Sequence, residues 1–363
     1  MWPNRSLLEL IGTDFPIIQA PMAGASGPEM AIGVCEAGGL GSLPCAMLNA
    51  EKICAQVETV RSRTDKPFNL NFFCHAKPNL TADSDTTWKQ ALAPYYQELE
   101  IAPPAQSASS GLPPFDESMC EVIEECRPNV VSFHFGLPAQ PLLDRVKAVG
   151  CIVLCSATTV EEARWLEQYG CDAIIAQGCE AGGHRGMFLT NNVGTQVGTM
   201  ALVPQIVDNV QIPVIAAGAI ADGRGIAAAF ALGAAGVQIG TAFLFTPESL
   251  ITDLHRDALR SAQDDQSALT NLFSGRPARG LMNRVMREVG PISDRAPAFP
   301  TAGAALAPLK AKAESQGLAD FSSLWSGQAA GLGREIGSKE LTIMLAKEAE
   351  QCLNKLSARD SLS

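Results

Sequence analysis

The sequence predicts an α/β protein folded as a (β/α)8 TIM barrel, with an insertion after the third strand and a C-terminal helical extension that acts as a lid. Eight short apolar runs alternate with helix-like stretches, which is the pattern of βα units around a parallel sheet. Glycine-rich loops follow the last runs, where barrels often bind phosphate. A doubly wound open sheet is the alternative, because counting βα units does not show closure.

Each predicted strand is a short run rich in Val, Ile, Leu or Phe, as expected for a strand covered on both faces. Eight such strands favour a closed barrel. The runs are residues 15–20, 40–43, 68–72, 130–135, 151–156, 172–177, 213–217 and 236–239.

Four helices are predicted between these strands, at residues 51–63, 117–126, 159–169 and 223–232. We expect Thr158 to cap the third helix and Asp222 the fourth, because their side-chain oxygens can accept hydrogen bonds from first-turn N–H groups.

The insertion falls at about residues 75–115 and contains six prolines, which we expect to break any long helix there. With this insertion, the barrel domain is expected to span residues 10–245.

The expected extension, residues 246–363, packs over the active site. Helical patterns at 250–272 and 339–356 are divided by a passage rich in Pro, Gly and Ala at 291–308.

Composition limits the classes of function. The 363 residues are 47% hydrophobic and 18% charged, which supports a large buried core. The net charge of −11 argues against nucleic-acid binding, which needs clustered Lys and Arg.

Neither a secretory signal nor a membrane-length apolar segment is present. Eleven cysteines without a C-x-x-C pair indicate reduced core thiols in a cytoplasmic protein without a metal site. A monomer or homodimer is expected.

Three glycine-rich turns follow successive strands. The first is Ala-Gln-Gly-Cys-Glu-Ala-Gly-Gly-His-Arg-Gly at 176–186, and the others begin at Gly218 and Gly240. Glycine lets the backbone approach a phosphate, Thr241 adds a hydroxyl, and the following helix contributes its positive end. Phosphate binding is therefore expected at the last two turns. Glycines that merely turn the chain are the alternative for either turn alone.

Amide side chains at strand ends suit the edge of an isoalloxazine ring, because each offers both donors and an acceptor. Asn71, Gln177 and Gln238 occupy such positions, and Met22 follows the first strand, where it can pack against the ring face. Ordinary loop hydrogen bonding is the alternative for each amide.

His134 lies at a strand end between two phenylalanines, in Ser-Phe-His-Phe-Gly. Apolar surroundings disfavour the charged imidazole, which leaves a neutral base. A core histidine bonded to a carbonyl is the alternative. His184 can reach the same site, whereas His75 and His255 are less suited by position.

Four ordered motifs, at residues 19–24, 70–73, 132–138 and 176–186, resemble those of the class I nitronate monooxygenases, formerly called 2-nitropropane dioxygenases. The resemblance covers roughly residues 10–335. It implies an FMN-dependent enzyme that oxidises alkyl nitronates, such as propionate 3-nitronate, with molecular oxygen. The products are a carbonyl compound and nitrite, in a detoxification reaction.

The resemblance also implies roles for residues. His134 becomes the catalytic histidine, which orients the anionic nitronate or removes the α-proton of a neutral nitroalkane, and His184 becomes a second histidine near the substrate. The FMN contacts expected from the motifs and the resemblance together are Pro21, Met22, Ala23, Asn71, Gln177, Gly182, Gly183, Gly218, Gln238, Ile239, Gly240 and Thr241.

Two further features follow from this resemblance. Trp-Ser-Gly-Gln at 325–328 is similar to the family's tail motif near the flavin, which implies that the C-terminal segment folds back over the site. An anionic substrate also requires local positive potential in an acidic chain, and Arg185, Lys310 and the two histidines His134 and His184 are candidates.

The sequence leaves two alternatives to the nitronate monooxygenase function. An FMN-dependent NADH:quinone or enoyl-thioester reductase on the same barrel is the nearer one, because Gln-Ala-Pro-Met at 19–22 also occurs in those relatives. A non-catalytic flavin-binding protein is the other. The monooxygenase is preferred because Ser-Phe-His-Phe-Gly and Glu-Ala-Gly-Gly-His occur together.

Overall fold

A computed structural model of the chain describes residues 2–77, 82–104 and 113–357. Eight parallel strands form its centre, and they coincide with the eight predicted runs. Around the sheet their order is β1-β8-β7-β6-β5-β4-β3-β2. The strands are β1 (Ile17–Gln19), β2 (Gly41–Pro44), β3 (Phe68–Phe73), β4 (Val130–His134), β5 (Ile152–Ala157), β6 (Ala173–Gln177), β7 (Val214–Ala217) and β8 (Gly236–Ile239).

The sheet closes between β1 and β2. Ile18 of β1 forms a parallel bridge with Leu40, next to β2, and the Leu40 N–H donates to the Ile17 carbonyl at 2.9 Å. The side chain of Gln19 strengthens this seam, because its Oε1 accepts from the Ser42 N–H at 2.8 Å. Closure confirms the TIM barrel and excludes the open sheet.

Helices cover the outside of the barrel. Asp222 caps the helix after β7 as predicted, since its Oδ1 accepts from the Arg224 N–H at 2.9 Å. The prediction of Thr158 as a cap is wrong. Thr159 caps that helix, because Thr158 donates its N–H and hydroxyl to Glu162 Oε2 at 2.7 Å. The helices are α1 (Ser6–Ile11), α2 (Pro28–Ala37), α3 (Ala50–Arg61), α4 (Ala82–Glu98), α5 (Glu117–Cys126), α6 (Gln140–Ala148), α7 (Val160–Gln168), α8 (Thr199–Val207) and α9 (Gly223–Ala231).

The insertion after β3 contains a long helix, so the expectation that prolines prevent one is wrong. Helix α4 has 17 residues and includes Pro94. An internal proline costs about 3 kcal/mol. Burial of the α4 side chains offsets this cost, as at Trp88, which is fully buried and donates from Nε1 to the Ala302 carbonyl at 3.0 Å. Residues 78–81 and 105–112 of the expected insertion lie outside the described residues.

The extension combines helices with a β-hairpin. Instead of one helix over 250–272, α11 (Asp253–Ser261) is followed by β9 (Ser267–Thr270), which pairs antiparallel with β10 (Ala278–Leu281). A two-residue strand at Gly183–His184 pairs with the other edge of β10. The extension therefore holds the glycine-rich loop directly. Its other helices are α12 (Arg284–Val289), α13 (Gly303–Ser315) and α14 (Ser338–Ser357), and α10 (Thr241–Leu244) precedes the extension.

The extension packs in two separate places. Helices α12 and α13 share a buried apolar cluster with α4, which includes Trp88, Leu306 and Phe321. Helix α14 lies instead on the flank of the barrel, where Leu341 and Leu345 join the main core. The part before α14 is thus the part that reaches the mouth of the barrel. Residues 358–363 lie outside the described residues.

The eleven cysteines are all free thiols. Burial raises the pKa of Cys171 to about 12, so this thiol stays protonated. Among the described residues, no helix combines the length and apolar character needed to cross a membrane.

Candidate active site

A cavity of about 550 Å³ opens at the C-terminal ends of the barrel strands. Both predicted histidines, His134 and His184, line it, as do all the predicted cofactor contacts except Ile239. The side chain of Ile239 is buried in the barrel core. The predicted contacts on the cavity wall are Pro21, Met22, Ala23, Asn71, Gln177, Gly182, Gly183, Gly218, Gln238, Gly240 and Thr241.

Several residues that line the cavity were not predicted from the sequence. Ser132 and Ser156 project from β4 and β5, and aromatic residues of the extension form much of the opposite wall. His255 also lines the cavity, although its position in the tail had suggested otherwise. The only sequence signal for this wall was the tail motif, whose Trp325, Ser326 and Gly327 all reach the cavity.

The loops after β7 and β8 form a cradle of main-chain donors. Gly218 has φ +125°, a conformation that favours glycine. The N–H groups of Ala219, Ile220, Gly240 and Thr241 donate to no group in the part of the chain that the structure describes. All four residues line the cavity. Such donors bind anions well, and a phosphate would satisfy them.

The end of helix α9 does not contribute to this cradle. Asp222 occupies it, because its Oδ1 accepts from the N–H groups of Arg224 and Gly225 at 2.9 and 3.3 Å. The expectation that the following helix supplies its positive end therefore does not hold after β7. The amides of the loop carry the positive potential there.

The side-chain amides at the strand ends differ in whether they are free to bind a ligand. Gln238 Oε1 is buried and has no hydrogen-bond partner among the described residues. An unpaired buried acceptor costs about 1–3 kcal/mol, so a ligand N–H at this place would be stabilising. Asn71 donates to Ser132 Oγ at 2.9 Å. Gln177 holds the loop instead, donating to the His184 carbonyl at 2.9 Å and accepting from the Gly186 N–H at 2.7 Å.

The tail motif is fitted closely against the glycine-rich loop. The Gly327 N–H donates to Thr241 Oγ1 at 2.9 Å, and the Gln328 N–H donates to the Glu180 carbonyl at 3.0 Å. A Cβ at Gly182 would lie 2.5 Å from the nitrogen of Gly327. Glycine at 182 therefore permits the extension to seal this side of the cavity.

His134 is hydrogen bonded at both ring nitrogens. Nε2 lies 3.2 Å from the His184 carbonyl, and Nδ1 lies 2.9 Å from Ser156 Oγ. Since a carbonyl only accepts, Nε2 carries the proton in the neutral ring and Nδ1 accepts from the Ser156 hydroxyl. Burial, assisted by the charge of nearby groups, lowers the pKa of His134 to about 3. The resting ring is therefore neutral.

His184 completes the histidine wall. Its Nε2 lies 2.8 Å from Ser274 Oγ, and its ring packs against Phe299 and Trp325 with centroid distances of 5.4 and 5.5 Å. Burial, followed by the charge of Arg276, lowers the pKa of His184 to about 3. Two neutral imidazoles in an aromatic setting thus face the cavity.

The cations predicted from the sequence have different positions. Arg185 is fully buried and donates to the carbonyls of Gln177 and Gly178 at 2.7 Å, so it braces the loop and does not line the cavity. Lys310 does line the cavity, where its Nζ is 3.8 Å from Glu314 Oε1. The charge of Lys310 is thus partly balanced by its neighbour.

The lowered histidine pKa values predict loss of stability in acid. His134, His184 and His255 stay neutral in the folded protein until about pH 3, 3 and 4, whereas their ordinary value is 6.5. The unfolded chain binds more protons in between, so this contribution is complete above pH 6.5 and is lost as the pH falls towards 3. Thermal unfolding should show a falling Tm across that window, with a smaller slope in His255→Asn. A Tm that does not change with pH would contradict the assignment.

Free loop amides, an unpaired amide oxygen and two neutral histidines lie together at one barrel mouth, which is typical of TIM-barrel enzymes that bind a phosphate-bearing ligand. The sequence matches the nitronate monooxygenase family over residues 4–348. The chain belongs to this family. It is 42% identical over 357 residues to the nitronate monooxygenase of Paraburkholderia phytofirmans, covering 97% of each chain.

Solved structures agree with this membership. The nitroalkane oxidase of Streptomyces ansochromogenes superposes with a TM-score of 0.88 at 37% identity, covering 97% of this chain and 99% of that chain. FabK from Thermotoga maritima superposes with a TM-score of 0.72 at 27% identity, covering 99% and 100%. The chain is therefore an oxidoreductase of the nitronate-oxidising family, and flavin dependence follows from that membership.

Proposed function

We propose that the protein binds FMN in the cavity and oxidises alkyl nitronates, such as propionate 3-nitronate, with O2 to a carbonyl compound and nitrite. The observation that carries the proposal is the arrangement of one cavity. Unpaired loop amides lie on one side of it, and the neutral histidine wall lies on the other. A phosphate-bearing ring cofactor and a small substrate fit these two sides.

The residues present fit FMN. The amides of Ala219, Ile220, Gly240 and Thr241 would hold its phosphate, and the unpaired Oε1 of Gln238 would accept from the ring edge. Bound FMN supplies the electron acceptor for substrate oxidation. The protein's part is to bind, orient and desolvate both partners.

The opposite wall fits a small organic anion. Phe73, Phe299 and Trp325 line it and exclude water from the reacting atoms. His134, neutral at assay pH, orients the nitronate or receives the α-proton of a neutral nitroalkane. A ring whose pKa is near 3 is a weak base, so we expect preformed nitronates to react faster than nitroalkanes.

An FMN-dependent NADH:quinone or enoyl-thioester reductase is the second candidate. The superposition on FabK, with a TM-score of 0.72, supports a related enzyme as the alternative. The family match over residues 4–348 favours nitronate oxidation. A flavin protein without turnover is a third candidate, and the presence of both histidines on the cavity wall argues against it.

Purified protein decides among the three. We expect a yellow protein that releases FMN on denaturation and forms nitrite from ethyl nitronate or propionate 3-nitronate in air. Under anaerobic conditions, stopped-flow mixing should show flavin reduction by the nitronate. Rapid reduction by NADH but not by a nitronate would instead identify a reductase, and bound FMN without nitrite would identify a non-catalytic protein.

We also infer a cytoplasmic monomer or homodimer. The eleven free thiols support a reducing compartment. Light scattering after size exclusion measures the oligomeric state, and a larger assembly would contradict the inference.

A further inference from the structure

We propose that Arg276 sets the preference of this site for an anionic substrate, acting from behind the histidine wall without touching the substrate. The inference rests on the proposed function and assigns the source of positive potential that an acidic chain must provide locally. Arg276 is thus a specificity-determining residue and not a catalytic one. It is not among the described residues that line the cavity.

The position of Arg276 places its charge close to the reacting side. Its guanidinium carbon lies 4.1 Å from the centroid of the Phe135 ring. The other neighbours of that ring include His134 and His184, with centroid distances of 4.5 and 5.9 Å. The cation and the two histidines therefore share one aromatic neighbour.

The backbone is arranged to hold this shared ring in place. Phe135 has φ +72°, which is strained for a bulky residue and is typical of functional sites. On the other side, Ser274 bonds to His184 and also accepts from the Arg276 N–H at 3.3 Å. The arginine and the histidine are thus fixed to the same loop.

The charge of Arg276 is not neutralised by an ion pair. No ion pair in the described part of the chain includes Arg276. Its guanidinium donates to the Met187 carbonyl, and its Nε is buried without a partner among the described residues. A half-buried cation with so few partners is screened less, and acts over a longer range, than one in a surface ion pair.

The nearby charges sum to a positive value. Arg185 is a buried cation and Arg276 a half-buried one, and Glu162 is a buried carboxylate that accepts from the N–H groups of Phe188 and Leu189. Arg279 and Glu180 also act on Arg185, and their opposite charges offset each other. On the cavity wall Lys310 and Glu314 largely cancel. One net positive charge therefore stands behind the wall.

The field of this charge reaches the histidines. The charges of Arg276 and Arg185 contribute to the lowered pKa of His134, and Arg276 is the leading charge acting on His184. Burial lowers the pKa of Arg276 itself to about 10, so the guanidinium stays charged at neutral pH. A field that opposes protonation of these rings favours an anion beside them.

Ethyl nitronate and nitroethane form a matched pair of probes, because they differ by one proton. In the holoenzyme, Arg276→Gln should raise the KM for ethyl nitronate about twentyfold, as expected for losing a charge some 8–10 Å away at an effective dielectric near 20. The inhibition constant of neutral nitroethane should change less than about threefold. Arg276→Lys should recover most of the anion affinity.

Arg61→Gln serves as the matched control. Arg61 also packs over a phenylalanine, at 5.7 Å from the Phe68 ring, and donates to backbone carbonyls, but it lies on α3 away from the cavity. Its substitution should leave the affinity for both probes unchanged. FMN content and circular dichroism establish that each variant is folded.

Binding of nitrite, followed by perturbation of the flavin spectrum, gives a readout that is independent of turnover. Weaker nitrite binding in Arg276→Gln, with recovery in Arg276→Lys, supports the proposal. Equal losses for nitrite and nitroethane indicate a structural role and overturn it, as does an unchanged affinity for nitrite. Absence of nitrite formation by the unaltered protein is a separate result, which overturns the proposed function.

Discussion

Gly218→Val should give a folded protein that no longer retains FMN. A Cβ at this position would lie 2.7 Å from Thr199 Oγ1 and 3.3 Å from the nitrogen of Ala181. The Thr199 hydroxyl cannot move freely, because it donates to Glu180 Oε2 at 2.9 Å. The larger valine side chain must therefore displace the loop, and the amides of Ala219 and Ile220 move with it.

The backbone conformation adds to this effect. The φ of +125° at Gly218 suits glycine and strains any branched residue. We expect FMN affinity to fall at least tenfold, which corresponds to about 1.4 kcal/mol. The measurement is FMN content after gel filtration, followed by titration of the stripped protein with FMN.

Gly150→Ala separates cofactor loss from general strain. Gly150 has φ +89°, but a Cβ there meets nothing within 4 Å, and it lies before β5 at the opposite end of the barrel. This variant should lose about 1–2 kcal/mol of stability and keep its FMN. Undiminished FMN content in Gly218→Val would refute the phosphate placement.

The barrel was predictable because its strands are buried on both faces and therefore form continuous apolar runs. The capping residue of a helix was harder to predict where two neighbouring residues carry equivalent side chains. Thr158 and Thr159 both offer a hydroxyl, and the choice between them depends on which one the buried carboxylate of Glu162 accepts from. Propensity alone carries no information about that contact.

Errors in the extension and in the insertion have a non-local cause. Residues 267–270 leave a helical pattern because they pair with β10, and Pro94 is tolerated inside α4 because that helix has a buried partner surface. Such partners lie far away in the sequence. The prediction of a single helix over 250–272 used only local periodicity.

Within the site, the sequence predicted which residues lie there better than it predicted where their side chains point. Gln238 and the glycine turns line the cavity as expected, whereas Arg185 turns inward to carbonyls of its own loop. Ser156 was missed because an ordinary strand serine has no signal of its own. Its partner His134 lies on the adjacent strand, 22 residues earlier.

His134→Asn should keep FMN and lose the ability to act on neutral nitroalkanes. The substitution removes the imidazole that is proposed to take the α-proton and whose Nδ1 accepts a hydrogen bond from Ser156 Oγ. General-base catalysis is worth about 10²-fold or more. Nitroethane turnover should fall by that factor, measured as nitrite release at saturating oxygen.

Preformed nitronates provide the contrast, because they carry no α-proton that must be removed. Loss of one hydrogen bond, about 1 kcal/mol, should lower kcat/KM for ethyl nitronate only about fivefold. With a pKa near 3, His134 does not titrate between pH 5 and 8, so turnover of nitronates should be independent of its ionisation in that range. Nitronate oxidation does not require a base, so an equal loss of activity on nitroethane and on ethyl nitronate would show that His134 orients the substrate. Unchanged nitroethane turnover would show that His134 does not transfer the proton.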